Sequence, residues 1–280
     1  MAIIVSTRNE HDAWNARPSA SSVQDFERNL LLKSMSPEAA SLLHKHLREH
    51  EFHEGTVLWH AGHPAGMVFF PVSGMISIGV PTKDGHVIEV AVIGREGAVG
   101  FDDRSDTLPA TQAVTHARGR FMSIAAQAFA VAARESEDVR RMADVSTGWL
   151  LLQSQQMAAC NAVHPAEARF CRWLLRASEV LDTATVSVTQ EMIAHALGIR
   201  RTTATLIAQQ LQLRGTISYS RGKIAIRDRA GLQAAACDCC RVLGRAHWPS
   251  ELLRGGALDR NGQTAAGWPG SAARNGAKLT

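Results

Sequence analysis

The stretch Val188-Thr189-Gln190-Glu191-Met192-Ile193-Ala194-His195-Ala196-Leu197-Gly198-Ile199-Arg200-Arg201-Thr202-Thr203-Ala204-Thr205-Leu206-Ile207-Ala208-Gln209-Gln210-Leu211 decides how the C-terminal part of the chain folds. Thr189 is of the type that caps a helix, and Gln190 and Glu191 would stand in the first turn behind it. Ala194 is small where a second helix would have to cross. Gly198 follows at the point where leaving a helix by a tight turn needs positive φ. Ile199 supplies the apolar residue of that turn, and Ala204, Ile207 and Leu211 recur at the spacing that buries one face of a second helix. With the segment from Ala166 to Leu181 ahead of them, apolar at Phe170, Trp173, Leu174 and Leu181, the two helices make a tri-helical unit.

The second helix leaves Arg200, Arg201, Thr202, Thr203, Thr205 and Gln209 at its N-terminal and outer positions. Arginine pairs bidentately with guanine edges, and Thr and Gln reach bases or phosphates. The first turn of such a helix is where base contacts are expected. Thr189 and Gln190, at the start of the first helix, join the candidate set. Behind it, the alternation from Gly215 to Ile226 around Arg221-Gly222-Lys223 predicts a β-hairpin wing with a cationic tip. Basic residues outnumber acidic ones locally, as phosphate binding requires. A plain helical hairpin with a solvated basic face gives part of the same pattern. The cap, the glycine turn, the Arg-Arg-Thr-Thr start and the wing together favour a winged helix-turn-helix.

The N-terminal half differs in kind. Val57-Leu58-Trp59, Met67 to Phe70, Met75 to Val80 and Val87 to Ile93 are short apolar stretches. Glu54-Gly55, Ala61-Gly62, Ser73-Gly74 and Lys83-Asp84-Gly85 punctuate them. Closely spaced strands with such turns mean an antiparallel sandwich or barrel. Ser36-Pro37-Glu38 reads as a helix start within a short helical lead-in. Between the halves, Met142, Val145, Trp149, Leu152, Gln156, Ala159 and Val163 alternate spacings of three and four. That is a heptad seam, read here as the dimerisation face of a long helix, although a helix packed on its own domain produces the same period.

Composition narrows the class without naming it. Among 280 residues, 45% are hydrophobic and 20% charged, which excludes a fibrous or wholly disordered chain. A net charge of +4 is compatible with a polyanionic partner but does not identify one. No apolar run approaches the roughly 20 residues that cross a bilayer, so no membrane partner is expected and a cytoplasmic location is. Five cysteines, an odd number, argue against a disulfide framework.

The expected architecture is α+β. A flexible arm (1–24) precedes an antiparallel β-roll of jelly-roll type (25–135), then a dimerisation helix (136–164) and a winged helix-turn-helix (165–236). A disordered tail (237–280) ends the chain.

Three stretches resemble the Crp–Fnr family of bacterial transcription regulators. They are Gly66 to Gly74, Ala158-Ala159-Cys160-Asn161-Ala162-Val163-His164, and the winged helix ending Leu232 to Cys237. The resemblance covers about residues 30 to 240 and implies a cyclic-nucleotide-type β-roll, a long dimer helix and a DNA-reading C-terminal module. It implies a homodimer on a palindromic site, with double-stranded DNA and a second copy as partners. RNA polymerase and an unidentified small-molecule effector stay open as further partners. Arg201 falls where cyclic-AMP-responsive members carry a base-reading Arg, whereas Thr202 and Leu206 replace their Glu and second Arg.

Gly94-Arg95-Glu96-Gly97-Ala98-Val99-Gly100 resembles the start of the family's phosphate-binding cassette, which makes Glu96 and Gly97 candidate effector contacts. The Arg-Ser pair that grips the cyclic phosphate corresponds here to Thr111-Gln112. Without that cation a buried phosphate is poorly compensated, so the effector is expected not to be a cyclic nucleotide.

Other clusters invite sharper readings. His53, His60 and His63 could suggest a metal-dependent cupin-like enzyme, and a β-roll small-molecule-binding protein is the alternative of another class. The interval of His60-Ala61-Gly62-His63 is wrong for a convergent ligand set, so surface histidines are expected. Cys237-Asp238-Cys239-Cys240 lacks the two-residue spacer usual in cluster and zinc motifs. Cys160 and Cys171 read as small core fillers. The expectation is therefore no catalytic residue, no metal and no cofactor.

Overall fold

The structure, a computed structural model, describes residues 19–20, 23–101 and 109–239. Strand β1 (Ser19–Ala20) and helices α1 (Val23–Phe26), α2 (Leu30–Lys33) and α3 (Pro37–His44) lead into the strands. Those are β2 (Arg48–Phe52), β3 (Val57–Trp59), β4 (Met67–Pro71), β5 (Met75–Pro81), β6 (Val87–Ile93), β7 (Gln112–Ala117) and β8 (Gly119–Ala125). Helices α4 (Ala126–Glu135), α5 (Glu137–Val163) and α6 (Ala166–Val180) follow. The C-terminal module is β9 (Thr185–Ser187), α7 (Gln190–Leu197), α8 (Arg201–Leu213), β10 (Ile217–Ser220), β11 (Lys223–Ile226) and α9 (Arg229–Ala235).

Two four-stranded antiparallel sheets, β1-β2-β8-β4 and β3-β7-β5-β6, face each other across Phe52, Phe69, Ile76, Ile93 and Phe121. The first sheet is covered on its other side by helices: Val68, Phe70, Met122 and Ile124 pack with Leu31, Leu43, Phe129 and Met142. Both faces of β4 are thus buried, which is why its sequence is a continuous apolar run instead of an alternation. Two turns match their sequence signals. Ser36 caps α3 through its hydroxyl with Pro37 at the first helical position, and Gly85 takes φ +79° in the β5–β6 hairpin.

The helical connector is two helices, broken at Ser136, which ends α4 and caps α5 with φ −132°. The expected heptad seam divides. Met142 and Trp149 turn into the chain's own core, so they are not free for a partner. The face that α5 buries against its own domain runs through Val139, Met142, Ser146, Trp149, Gln153, Met157 and Cys160. The opposite stripe keeps Val145 and Leu152 half-buried and Gly148, Ala159 and Val163 exposed.

Two further expectations change. Ser19 and Ala20 pair with Glu49 and Arg48, so the arm of 1–24 contributes a strand and the start of α1, while 1–18 lie outside the described residues. Cys237 and Cys239, assigned to a disordered tail, are buried against α5, and 240–280 lie outside the described residues.

The C-terminal module packs around Phe170, Leu174, Ile193, Ala204, Leu211, Ile217 and Ile224, and its core continues onto Met75 and Val92 of the β-roll. Gly198, at φ +62°, closes α7 as a left-handed cap, and a Cβ there would lie 2.9 Å from Cδ1 of Ile88. The turn of the module therefore sits directly on strand β6.

Candidate nucleic-acid interface

Helix α7 is capped by Thr189, whose Oγ1 accepts from Met192 N at 3.2 Å. Helix α8 buries Ala204, Ile207, Ala208 and Leu211 and carries no side-chain cap at Arg200. Arg200, Arg201 and Thr202 at its start are all exposed. Gln209 is exposed and Thr203 half-buried on the same helix. Leu206, 59% exposed among them, is an apolar side chain at the position set against a second Arg above.

Three candidates are engaged internally. Thr189 is spent on its cap. Thr205 Oγ1 lies 2.7 Å from Gln190 Oε1 and 3.0 Å from the Arg201 carbonyl, so its single proton serves one of the two. Thr205 and Gln190 thus link α8 to α7 through the Thr205 hydroxyl and Gln190 Oε1.

The wing forms around Arg221 (φ +48°) and Gly222 (φ +73°), with Ser220 paired to Lys223. Two consecutive positive φ values are the geometry that matches the twist of a two-residue hairpin, and the arginine accepts it at some steric cost. Gly222 O accepts from Val188 N at 2.8 Å, which holds the wing tip next to the start of α7. Arg221 and Lys223 are exposed.

Charge is distributed unevenly over the module. Arg214 pairs with Glu167, Arg229 pairs with Glu179 and Arg227 donates to Ser218 Oγ. Arg200, Arg201, Arg221 and Lys223 enter no ion pair with the described residues. These four cations stand exposed at the start of α8 and at the wing tip.

A buried polar seam joins the module to the β-roll. Glu89 of β6 accepts from Trp173 Nε1 at 2.8 Å and from Ser77 Oγ at 2.7 Å. Burial pushes its carboxyl up to about 7 despite those bonds and the nearby charges of Arg172 and Arg176. His116, whose ring lies 5.2 Å from that of Trp173, is pushed down to about 4 by burial. Gln153 Oε1 of α5 accepts from Val92 N at 3.2 Å.

The effector candidates have partners within the protein. Glu96 is 2% exposed and pairs with Arg176 Nη2 at 2.5 Å, so it joins the module to the β-roll and does not present a carboxylate to a ligand. The Gly97 carbonyl accepts from Asn29 Nδ2 at 3.0 Å. Thr111 gives its carbonyl to Trp59 Nε1 at 3.0 Å, and Gln112 is paired in sheet register with Gly79. A cleft of about 290 Å³ between β4, α4 and α5 is lined by Val68, Phe101, Phe129, Arg134 and Arg140 among others, and none of the four effector candidates lines it.

His53, His60 and His63 do not gather into a ligand set among the described residues. One such set does exist: Cys160, His164, Cys237 and Cys239 place their donor atoms within 4.8 Å of one another. The C-terminal cysteines lack the two-residue spacer, and the residues they meet come from the end of α5, far away in sequence. Cys171 is buried in the apolar core of the module, as a core filler should be.

Residues 168–235 match the family model of the Crp-like helix-turn-helix domain. No curated protein matches the sequence. Among solved structures, a transcriptional regulator of the Crp/Fnr family from Eubacterium rectale is similar with TM-score 0.59 and 17% identity, over 73% of this chain and 96% of that one. The c-di-GMP responsive global regulator CLP of Xanthomonas campestris is similar with TM-score 0.58 and 16% identity, over 68% and 99%. FixK2 of Bradyrhizobium japonicum gives TM-score 0.59 and 17% identity, over 68% and 98%. The domain match assigns a Crp-like helix-turn-helix to residues 168–235, and the solved structures share the fold of the chain. No helix among the described residues is long and apolar enough to cross a membrane.

Proposed function

From the premise that this chain joins a Crp-like helix-turn-helix domain to the fold of the Crp–Fnr transcription regulators, we propose that it binds a palindromic DNA site as a homodimer. The observation that carries this reading is the set of four cations without acid partners, Arg200, Arg201, Arg221 and Lys223. A module that engages its other arginines in ion pairs or hydrogen bonds and leaves these four exposed on the helix start and the wing is suited to meet a polyanion. Arg200, Arg201, Thr202, Thr203 and Gln209 read base edges from the start of α8. Arg221 and Lys223 grip phosphates from the wing. Thr189, Gln190 and Thr205 support the reader from beneath.

The homodimer reading rests on the outer stripe of α5. Leu151 is 58% exposed and Val163 71% exposed, and Val145, Gly148, Leu152 and Ala159 continue the stripe at heptad spacing. Small and apolar residues at that spacing suit the close approach of a second α5. We propose further that the β-roll is not triggered by a cyclic nucleotide. Glu96 is spent on Arg176, and Thr111-Gln112 offers no cation for a phosphate.

The test is selection of bound duplexes from a random pool, followed by a salt titration of the selected site. A two-fold symmetric site whose affinity falls steeply with salt is expected. Failure to select any duplex sequence overturns the reading. Addition of cyclic AMP or cyclic GMP should leave both affinity and melting temperature unchanged, and a rise in either overturns the effector part alone.

A further inference from the structure

Cys160 stands in the last turn of α5 and His164 caps that helix, immediately before Pro165 opens α6. Cys237 and Cys239 follow α9, the last described helix of the reading module. The two pairs meet. Cys160 Sγ lies 3.5 Å from Cys237 Sγ, and Cys239 Sγ lies 3.6 Å from His164 Nδ1. All four donor atoms fall within 4.8 Å of one another.

We propose that these residues form a mononuclear, tetrahedral Cys3His site for zinc(II), which fastens the reading module to the end of the long helix. Zinc–sulfur bonds of about 2.3 Å and a zinc–nitrogen bond of about 2.0 Å demand tetrahedron edges of about 3.8 Å between sulfurs and about 3.5 Å between sulfur and nitrogen. The two close pairs already have those separations. Three thiolates and one imidazole also satisfy all four positions of a closed structural site, with no place left for substrate or water.

Three buried thiols could instead be small apolar fillers. One contact speaks for ligands. Gln156 Nε2 donates to Cys239 Sγ at 3.0 Å, the kind of bond that orients and stabilises a metal-bound thiolate. An iron–sulfur cluster fits less well, since cluster cysteines bind different irons and their sulfurs must stand further apart than this set does. A Cys160–Cys237 disulfide would leave Cys239, His164 and the Gln156 bond without a role.

The placement gives the site its consequence. The α5–α6 junction is where the long helix hands over to the reading module, and the metal would tie that junction to the module's far end. Neither half of the ligand set has the familiar two-residue spacer, because one half is Cys160-x-x-x-His164 on a helix end and the other is Cys237-x-Cys239 after another.

The full-length, untagged chain, purified under reducing conditions without chelator, should carry one equivalent of zinc by elemental analysis. Exchange with cobalt(II) should give thiolate-to-cobalt charge transfer and the intense visible bands of a tetrahedral ion. The double variant Cys237→Ser, Cys239→Ser should lose both. Should that variant not fold, Gln156→Ala keeps the test open: the metal remains, but a competing chelator removes it about 10–100-fold more readily. A folded, fully reduced wild-type chain without stoichiometric zinc and with only the pale spectrum of octahedral cobalt overturns the proposal. Iron with inorganic sulfide in the purified chain, or a Cys160–Cys237 disulfide under reducing purification, does the same. These readouts need no DNA, so they fail or hold apart from the duplex selection.

Discussion

The reading module has two polar sides that use the same residue types in opposite ways. On the side facing the β-roll, Arg176 is consumed by Glu96, and Glu89 is consumed by Trp173 and Ser77. On the other side, Arg200, Arg201, Arg221 and Lys223 stand in water without acid partners among the described residues. A buried charge must be paired by folding itself, whereas an exposed one can wait for a ligand. The inner side therefore sets how the module is held, and the outer side sets what it can bind. Substitutions on the inner side should be read in stability, and on the outer side in duplex affinity.

The largest effect should come from breaking the inner pair. Arg176→Met leaves the Glu96 carboxylate buried without its cation, which should cost about 3–5 kcal/mol in urea unfolding. Most of that loss is the penalty of an uncompensated charge, so adding Glu96→Leu to Arg176→Met should recover a large share. A loss below about 1 kcal/mol for the single variant would mean that the seam is open to water.

Glu89 and His116 allow a subtler test, because their contributions oppose each other. The folded Glu89 carboxyl is raised from 4.5 to about 7, so the stability it lends is full below 4.5 and lost as pH rises through 7. The folded His116 imidazole is lowered from 6.5 to about 4, so its stability is full above 6.5 and lost as pH falls through 4. The two slopes nearly cancel in the native chain between those limits. Glu89→Gln should expose the His116 slope, and relative to the parent the variant gains stability as pH rises, by up to about 3 kcal/mol. His116→Phe, which also removes a buried Nε2 without a hydrogen-bond partner among the described residues, should gain relative stability as pH falls. Parallel urea titrations from about pH 4 to about pH 8 read both, and identical pH dependence in the two variants would refute the opposition.

The contrast between the two sides also explains what the sequence could and could not disclose. The outer side was legible because it is local. Thr189, Gly198 and the Arg200-Arg201 start lie within one supersecondary unit, and their roles follow from capping and periodicity. Strands β3 to β6 were legible for the same reason. The inner side was not, because Glu96 meets Arg176 across 80 residues and Trp173 meets Glu89 across 84. No spacing rule sees such pairs. Likewise Cys160 and Cys237 are 77 residues apart, and a spacer rule applied to the C-terminal cysteines alone does not see that they meet. The heptad seam failed halfway because a helix with two apolar stripes has one period for both, and only packing tells which stripe is already used.

On the outer side, the largest change should follow Arg201→Ala. If the guanidinium reads a base edge, the variant loses about 1–3 kcal/mol of discrimination at one position of each half-site, with little loss on unrelated duplexes. Competition binding against a panel of single-base variants of the selected site measures this. Equal weakening on every duplex would move Arg201 from reader to phosphate contact.

Lys223→Ala should give the smallest and most uniform effect. Lys223 ends the wing at the residue paired with Ser220, with its side chain exposed and the backbone anchored by the neighbouring Gly222 carbonyl. Such a lysine contributes a point charge near the backbone, so its loss should weaken all duplexes alike and reduce the salt slope by about one phosphate's worth per protomer. Stability should not change, because no protein partner is lost. The decisive comparison is between the two outer-side variants on the same duplex panel. Unequal losses across bases for Arg201→Ala, with equal losses and a flatter salt slope for Lys223→Ala, separate reading from gripping. Indistinguishable profiles would collapse the outer side into one undifferentiated basic patch, and the distinction from the inner side would then rest on pairing alone.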